Sequence, residues 1–189
     1  MQQPVNRTTR ETSIRIQPAG NGFPVVDTPC GFLSHMLEQF LFHSGIGLEV
    51  TAKGDTHVDY HHLVEDCGIV LGRALRPSHD NPNIQRYGWS LLPMDGSLAQ
   101  VAVDVSGRGY LAWNVPFPTE KCGDFDLELL PEFFRAFCRE SGITIHVDGL
   151  RADNSHHMAE AVFKGFGRSL AQAFLPAEGP SSTKETGQC

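Results

Sequence analysis

Two segments carry apolar residues at helical spacing, FLSHMLEQFLFH over residues 32–43 and LELLPEFFRAFC over 127–138. Leucines and phenylalanines recur three and four apart in both, which predicts helices with one buried stripe. Other segments alternate apolar and polar positions as strands do. TSIRIQ (12–17) and FPVVDT (23–28) precede the first helix. WSLLPMD-GS-LAQVAVDVS (89–106) and YLAWNV (110–115) precede the second. Asp95-Gly96 between two alternating runs is the signature of a tight hairpin turn. Each half of the chain therefore reads as strands, helix, strand, helix.

The two halves also match residue by residue. Ser44-Gly45-Ile46-Gly47-Leu48-Glu49-Val50 aligns with Ser141-Gly142-Ile143-Thr144-Ile145-His146-Val147 at an offset of 97. His61-His62-Leu63-Val64-Glu65 returns 95 residues later as His156-His157-Met158-Ala159-Glu160. In both copies a Gly-Arg pair begins eleven residues after the first histidine, and a leucine follows the arginine by two. Such internal self-similarity signals duplicated units. The expected fold is α+β, with two half-domains at 1–84 and 85–175 related by a pseudo-twofold axis. Each is a small sheet with two helices on one face, because half of this chain would have a small core alone. The tail, 176–189, lacks apolar periodicity and is expected to be mobile without substrate.

Composition narrows the function. The chain has 189 residues and a formal net charge of -7, which gives no basic footprint for nucleic acid. No apolar run approaches the ~20 residues that span a bilayer, and the N-terminus shows no signal-peptide pattern. The five cysteines are odd in number and lack CxxC spacing. They are expected to be buried or free thiols in the reducing cytoplasm.

The histidine motifs carry the candidate chemistry. On a helix, residues i and i+4 share a face whereas i and i+1 diverge by about 100°. His61 with Glu65, and His156 with Glu160, can thus each grip one ion, while His62 and His157 reach towards another. The two motif helices, brought together by the pseudo-symmetry or across a subunit contact, would make two sites. The repeat sets His35 opposite Glu132, so each could add a further ligand. Histidine with carboxylate and no thiolate suits Mn, Fe, Zn, Co or Ni. His43, His57, His79 and His146 lack such company and are read as structural or exposed. The repeated Gly-Arg reads as helix packing, a small residue for close approach with an arginine at the rim.

GFLSHML, HVDYHHLVEDCGIVLGRAL, VSGRGYL and SHHMAEAVFKGFGRSLAQAF together resemble the imidazoleglycerol-phosphate dehydratases of histidine biosynthesis, over about residues 7–184. The resemblance implies a 24-subunit shell built from trimers, with active sites between subunits and two Mn(II) ions per site. One ion would be held by His35, His62, His156 and Glu160, and the other by His61, Glu65, His157 and Glu132. The implied reaction is dehydration of D-erythro-imidazole glycerol phosphate to imidazole acetol phosphate. Its C–H lies beside no carbonyl, so the imidazole ring must supply the acidity. Metals at the ring nitrogens would favour imidazolate, whose electrons expel the hydroxyl through a diazafulvene-like intermediate. Glu11 is the implied acid/base. Arg86, Arg108, Lys164, Ser182 and Lys184 are the implied phosphate ligands.

Three positions depart from the family pattern. Ser34 replaces an aspartate that would orient a ligand, Tyr60 replaces an aspartate beside the histidine pair, and Glu132 stands where many members have histidine. Two alternatives to catalysis by this route are a di-iron carboxylate oxidase and a metal-binding member without turnover. The oxidase needs four long helices, which the strand-like segments and glycines here interrupt. Retention of Glu11 and the phosphate cations argues against lost turnover.

Overall fold

The computed structural model describes residues 3–20, 22–77 and 83–178. In the first half, β1 (Val5–Thr8), β2 (Thr12–Pro18), β3 (Val25–Asp27), α1 (Gly31–Ser44), β4 (Leu48–Gly54) and α2 (His61–Ala74) follow in order. The second half has β5 (Tyr87–Met94), β6 (Ser97–Asp104), β7 (Tyr110–Asn114), a small hairpin of β8 (Lys121–Cys122) and β9 (Phe125–Asp126), then α3 (Leu129–Ser141), β10 (Thr144–Arg151) and α4 (Ser155–Ala173). The sheets have orders β1-β2-β4-β3 and β5-β6-β10-β7. In each, the last strand before the motif helix pairs antiparallel with the second and parallel with the third. Two sheets of the same order and sense are what a duplicated half-domain produces.

Each sheet is buried on one face only. Ile14 and Ile16 on β2 and Val50 on β4 point inward, while Ser13 and Arg15 face solvent. In the second sheet Val101, Ile145 and Val147 take the inward positions. The helices cover these faces and meet across the pseudo-axis, α2 against α3 and α1 against α4. A single core results, rich in phenylalanine, in which the Phe40 and Phe166 rings stack at 4.6 Å. Burying each such ring contributes on the order of 2 kcal/mol.

The repeated Gly-Arg marks both helix crossings. A Cβ on Gly72 would lie 2.7 Å from the Phe137 carbonyl oxygen, and one on Gly167 2.5 Å from that of Phe40. Only glycine permits backbones this close. Beside the first, Arg73 Nε donates to Glu140 at 2.9 Å and holds that carboxyl below its usual pKa.

Four of the cysteines are free thiols, three of them buried, and no described helix is long and apolar enough to cross a membrane. The Asp95-Gly96 turn is a two-residue hairpin, with Met94 paired to Ser97 and Asp95 at φ 49°. Residues 78–82 and 179–189 lie outside the described residues, and with them His79, Ser182, Lys184 and most of the tail.

Candidate metal centre

The second motif helix starts on a side-chain cap, Asn154 Oδ1 accepting from the His157 N–H at 3.0 Å. The first has Tyr60 at the cap position without such a bond, and Asp59, one residue earlier, accepts from the His61 N–H at 2.7 Å. Each bond satisfies a backbone donor that the first helical turn leaves unpaired. The histidine pairs are thereby fixed at the helix mouths.

At the α1–α4 crossing, three side chains converge. His35 Nε2 and His156 Nε2 each lie 3.0 Å from the same oxygen, Glu160 Oε1. Their ligand atoms all fall within 4.8 Å of one another, the one such group among the described residues. Glu160 Oε2 takes the Lys164 ammonium at 2.5 Å. Burial works to raise the Glu160 pKa, but the hydrogen bonds from Lys164 and His35 outweigh it and bring the group to about 2. An ionised carboxylate facing two imidazole nitrogens is a donor set suited to a divalent first-row ion.

At the pseudo-equivalent α2–α3 crossing the groups are looser. His61 Nε2 is 4.0 Å from Glu65 Oε2, and His61 and Glu132 line one open pocket. Glu132 pairs with Arg135 on its own helix, while Glu65 accepts from Arg139 Nη2 at 3.3 Å. His62 and His157 join neither cluster. His62 Nδ1 hydrogen-bonds Asp55 at 3.0 Å, and its Nε2 faces Glu11 Oε2 at 3.9 Å. The Asp55 bond pushes the His62 pKa up, against burial and with help from Glu11. His157 Nδ1 is buried without a hydrogen-bond partner, its nearest carboxylate being Asp95 at 3.6 Å. An orphaned buried ring nitrogen is a costly arrangement.

The sequence reading allowed two ways of joining the motif helices. The internal symmetry does not do so: α2 packs on α3 and α4 on α1, because the apolar stripes of α1 and α3 cover them. The subunit contact is the way of joining the motif helices that the fold leaves open.

The phosphate candidates divide in two. Arg86, with φ 68°, donates to Asp104 from Nε at 2.7 Å and from Nη2 at 3.3 Å, and Arg108 Nη2 lies 3.8 Å from the same carboxylate. Asp104 thus gathers two arginines, whereas Lys164 sits with Glu160 on α4. Of the departures, Ser34 hydrogen-bonds Thr28 at 2.9 Å. Tyr60 donates to Asp124 at 2.6 Å, which pushes its pKa up to about 12. Asp55, Asp95 and Asp104 escaped the sequence reading. Asp55 and Asp104 sit outside any motif spacing, and the sequence marks Asp95 only as a turn residue.

The model of the imidazoleglycerol-phosphate dehydratase family matches residues 28–170. The chain belongs to that family. It is 49% identical over 175 residues to the imidazoleglycerol-phosphate dehydratase of Cereibacter sphaeroides, covering 91% of this chain and 90% of the relative. To that of Roseobacter denitrificans it is 52% identical over 172 residues, covering 89% and 88%. The crystal structure of the dehydratase from Staphylococcus aureus subsp. aureus N315 superposes with a TM-score of 0.79 at 39% identity, covering 93% of this chain and 100% of that one. That of Pyrococcus furiosus gives 0.84 at 37%, covering 95% and 98%. The family members are hydro-lyases of histidine biosynthesis, and this chain is an enzyme of that class.

Proposed function

We propose that the chain dehydrates D-erythro-imidazole glycerol phosphate to imidazole acetol phosphate with two Mn(II) ions per site. The observation that carries this reading is the convergence of His35, His156 and Glu160 on one point. His61, Glu65 and Glu132 would serve the second ion from the equivalent crossing. His62 and His157, which join neither cluster, would complete the sites of neighbouring copies. That need favours the trimer-built 24-subunit shell, working in the cytoplasm. When bound, the ions would supply Lewis acidity at the substrate imidazole, favouring its imidazolate form and with it departure of the hydroxyl on the carbon attached to the ring.

The chain's own groups supply the rest. Glu11, exposed at the β1–β2 turn beside His62, takes and returns protons at its carboxylate. Arg86 and Arg108, held as a pair by Asp104, offer a fork of donors for phosphate oxygens. Lys164 neutralises Glu160 and would add a cation for the phosphate. Ser182 and Lys184, outside the described residues, would add further phosphate ligands. Incubation with imidazole glycerol phosphate and Mn(II) should yield the enolisable ketone. Absence of the ketone from fully metallated protein would instead favour a metal-binding member without turnover.

A further inference from the structure

The candidate acid/base is carried on a turn, and its side chain is 55% exposed. Nothing in that exposure would fix its direction. Beneath it lies a set of polar groups that belongs to neither metal cluster. Asp66 on α2 is 6% exposed; one of its oxygens accepts from Arg7 Nε at 2.8 Å, and the other accepts from the Thr12 hydroxyl. Thr12 is 4% exposed. Thr9 Oγ1 lies 3.2 Å from Thr12 Oγ1 and accepts from the backbone N–H of Thr12 at 2.9 Å and of Glu11 at 3.1 Å. Glu11 is therefore gripped by its own amide and by its chain neighbour.

The helical spacing gives this grip its meaning. Asp66 follows His62 by four residues, so both project from one face of α2. That face offers His62 to Glu11, at 3.9 Å, and Asp66 to Thr12. The clamp and the histidine share one rigid element, and the clamp sets where Glu11 stands relative to it. An apolar pair of the same shape would fill the space without desolvating a carboxylate. What the polar pair adds is a fixed direction.

We propose that Thr9, Thr12 and Asp66 are positioning residues that hold Glu11 in register with His62. The proposal rests on the assignment of Glu11 as acid/base. A 1 Å misplacement of a reacting group costs on the order of 100-fold. In the full-length, Mn(II)-loaded protein with imidazole glycerol phosphate, Thr12→Val should lower kcat about 10- to 100-fold and leave KM within about twofold. Thr12→Ser, which keeps the hydroxyl, should stay within about threefold of the parent. Thr9→Ala removes the acceptor for the Glu11 amide from a partly exposed site, and should reproduce the kcat loss even if Thr12→Val folds poorly. The decisive arm repeats Thr9→Ala and Thr12→Val in a Glu11→Gln background under single-turnover conditions, where no further loss is expected. An equal loss in both backgrounds would make the clamp merely structural and overturn the proposal. So would retained kcat in a folded Thr12→Val or Thr9→Ala protein while Glu11→Gln is inactive. Full activity in Glu11→Gln would instead remove the acid/base assignment itself, and the proposal with it.

Discussion

Glu132 pairs with Arg135 one turn along its own helix, although it shares a pocket with His61. The pairing decides what the departure from histidine at this position does. The guanidinium takes one carboxylate oxygen of Glu132 and competes with an ion for the group's charge. The carboxylate also adds negative charge beside the ion and weakens its Lewis acidity.

The second Mn(II) of the proposed pair should therefore bind less tightly than the first. Glu132→Ala should weaken that second ion selectively, and Glu132→His should restore it with turnover equal to or above the parent. Arg135→Ala should tighten it by freeing the carboxylate. Titration followed by calorimetry checks all three, and equal second-ion affinity in the parent and Glu132→Ala would show that Glu132 is no ligand.

Gly72→Ala and Gly167→Ala should each destabilise the protein, because the new methyl meets a backbone oxygen that cannot rotate away. The expected loss is about 1–3 kcal/mol per substitution, the range for overpacking a tight contact. Denaturant unfolding of the metal-free protein measures it. Substitution at the exposed Arg168 beside Gly167 should cost under about 0.5 kcal/mol.

Acid should destabilise the metal-free protein partly through Glu160. Its folded pKa of about 2 lies below the ordinary glutamate value of 4.5, so its contribution is present above 4.5 and lost as pH falls towards 2. The contribution is on the order of 3 kcal/mol. Unfolding free energies between pH 6 and 2 should show a shallower decline in Glu160→Gln, with a lower starting stability.

Assembly should depend on the metal, since the proposed sites take His62 and His157 from another copy. Ion binding then becomes assembly free energy. Chelation should reduce the particle to trimers or smaller in light scattering, and Mn(II) should restore it. A large particle that persists after verified metal removal would contradict this.

Much of the architecture was legible because the chain states it twice. The alternation in TSIRIQ and the stripe in FLSHMLEQFLFH each have a partner in the second half, and the repeat resolved what either copy alone left ambiguous. β1 escaped because VNRT is a short edge strand, whose four residues give too little alternation to count. The β8–β9 hairpin escaped for the same reason, with two-residue strands joined through Gly123 at φ 64°. Spacing along α4 placed His156 with Glu160, and the repeat brought in His35 as a possible further ligand. The carboxylates beside the lone histidines were not legible: Asp55 hydrogen-bonds His62 and Asp95 approaches His157 from loops, where no period connects sequence distance to contact. Asp66 could have been found, since it stands four residues after His62.

The most direct test is to titrate metal-free protein with Mn(II) in the presence of imidazole glycerol phosphate while following ketone formation. Turnover should be absent without metal, rise with added ion, and reach its plateau at two Mn(II) per chain. Full turnover by verified metal-free protein, or a plateau at one ion per chain, would contradict the two-metal dehydratase.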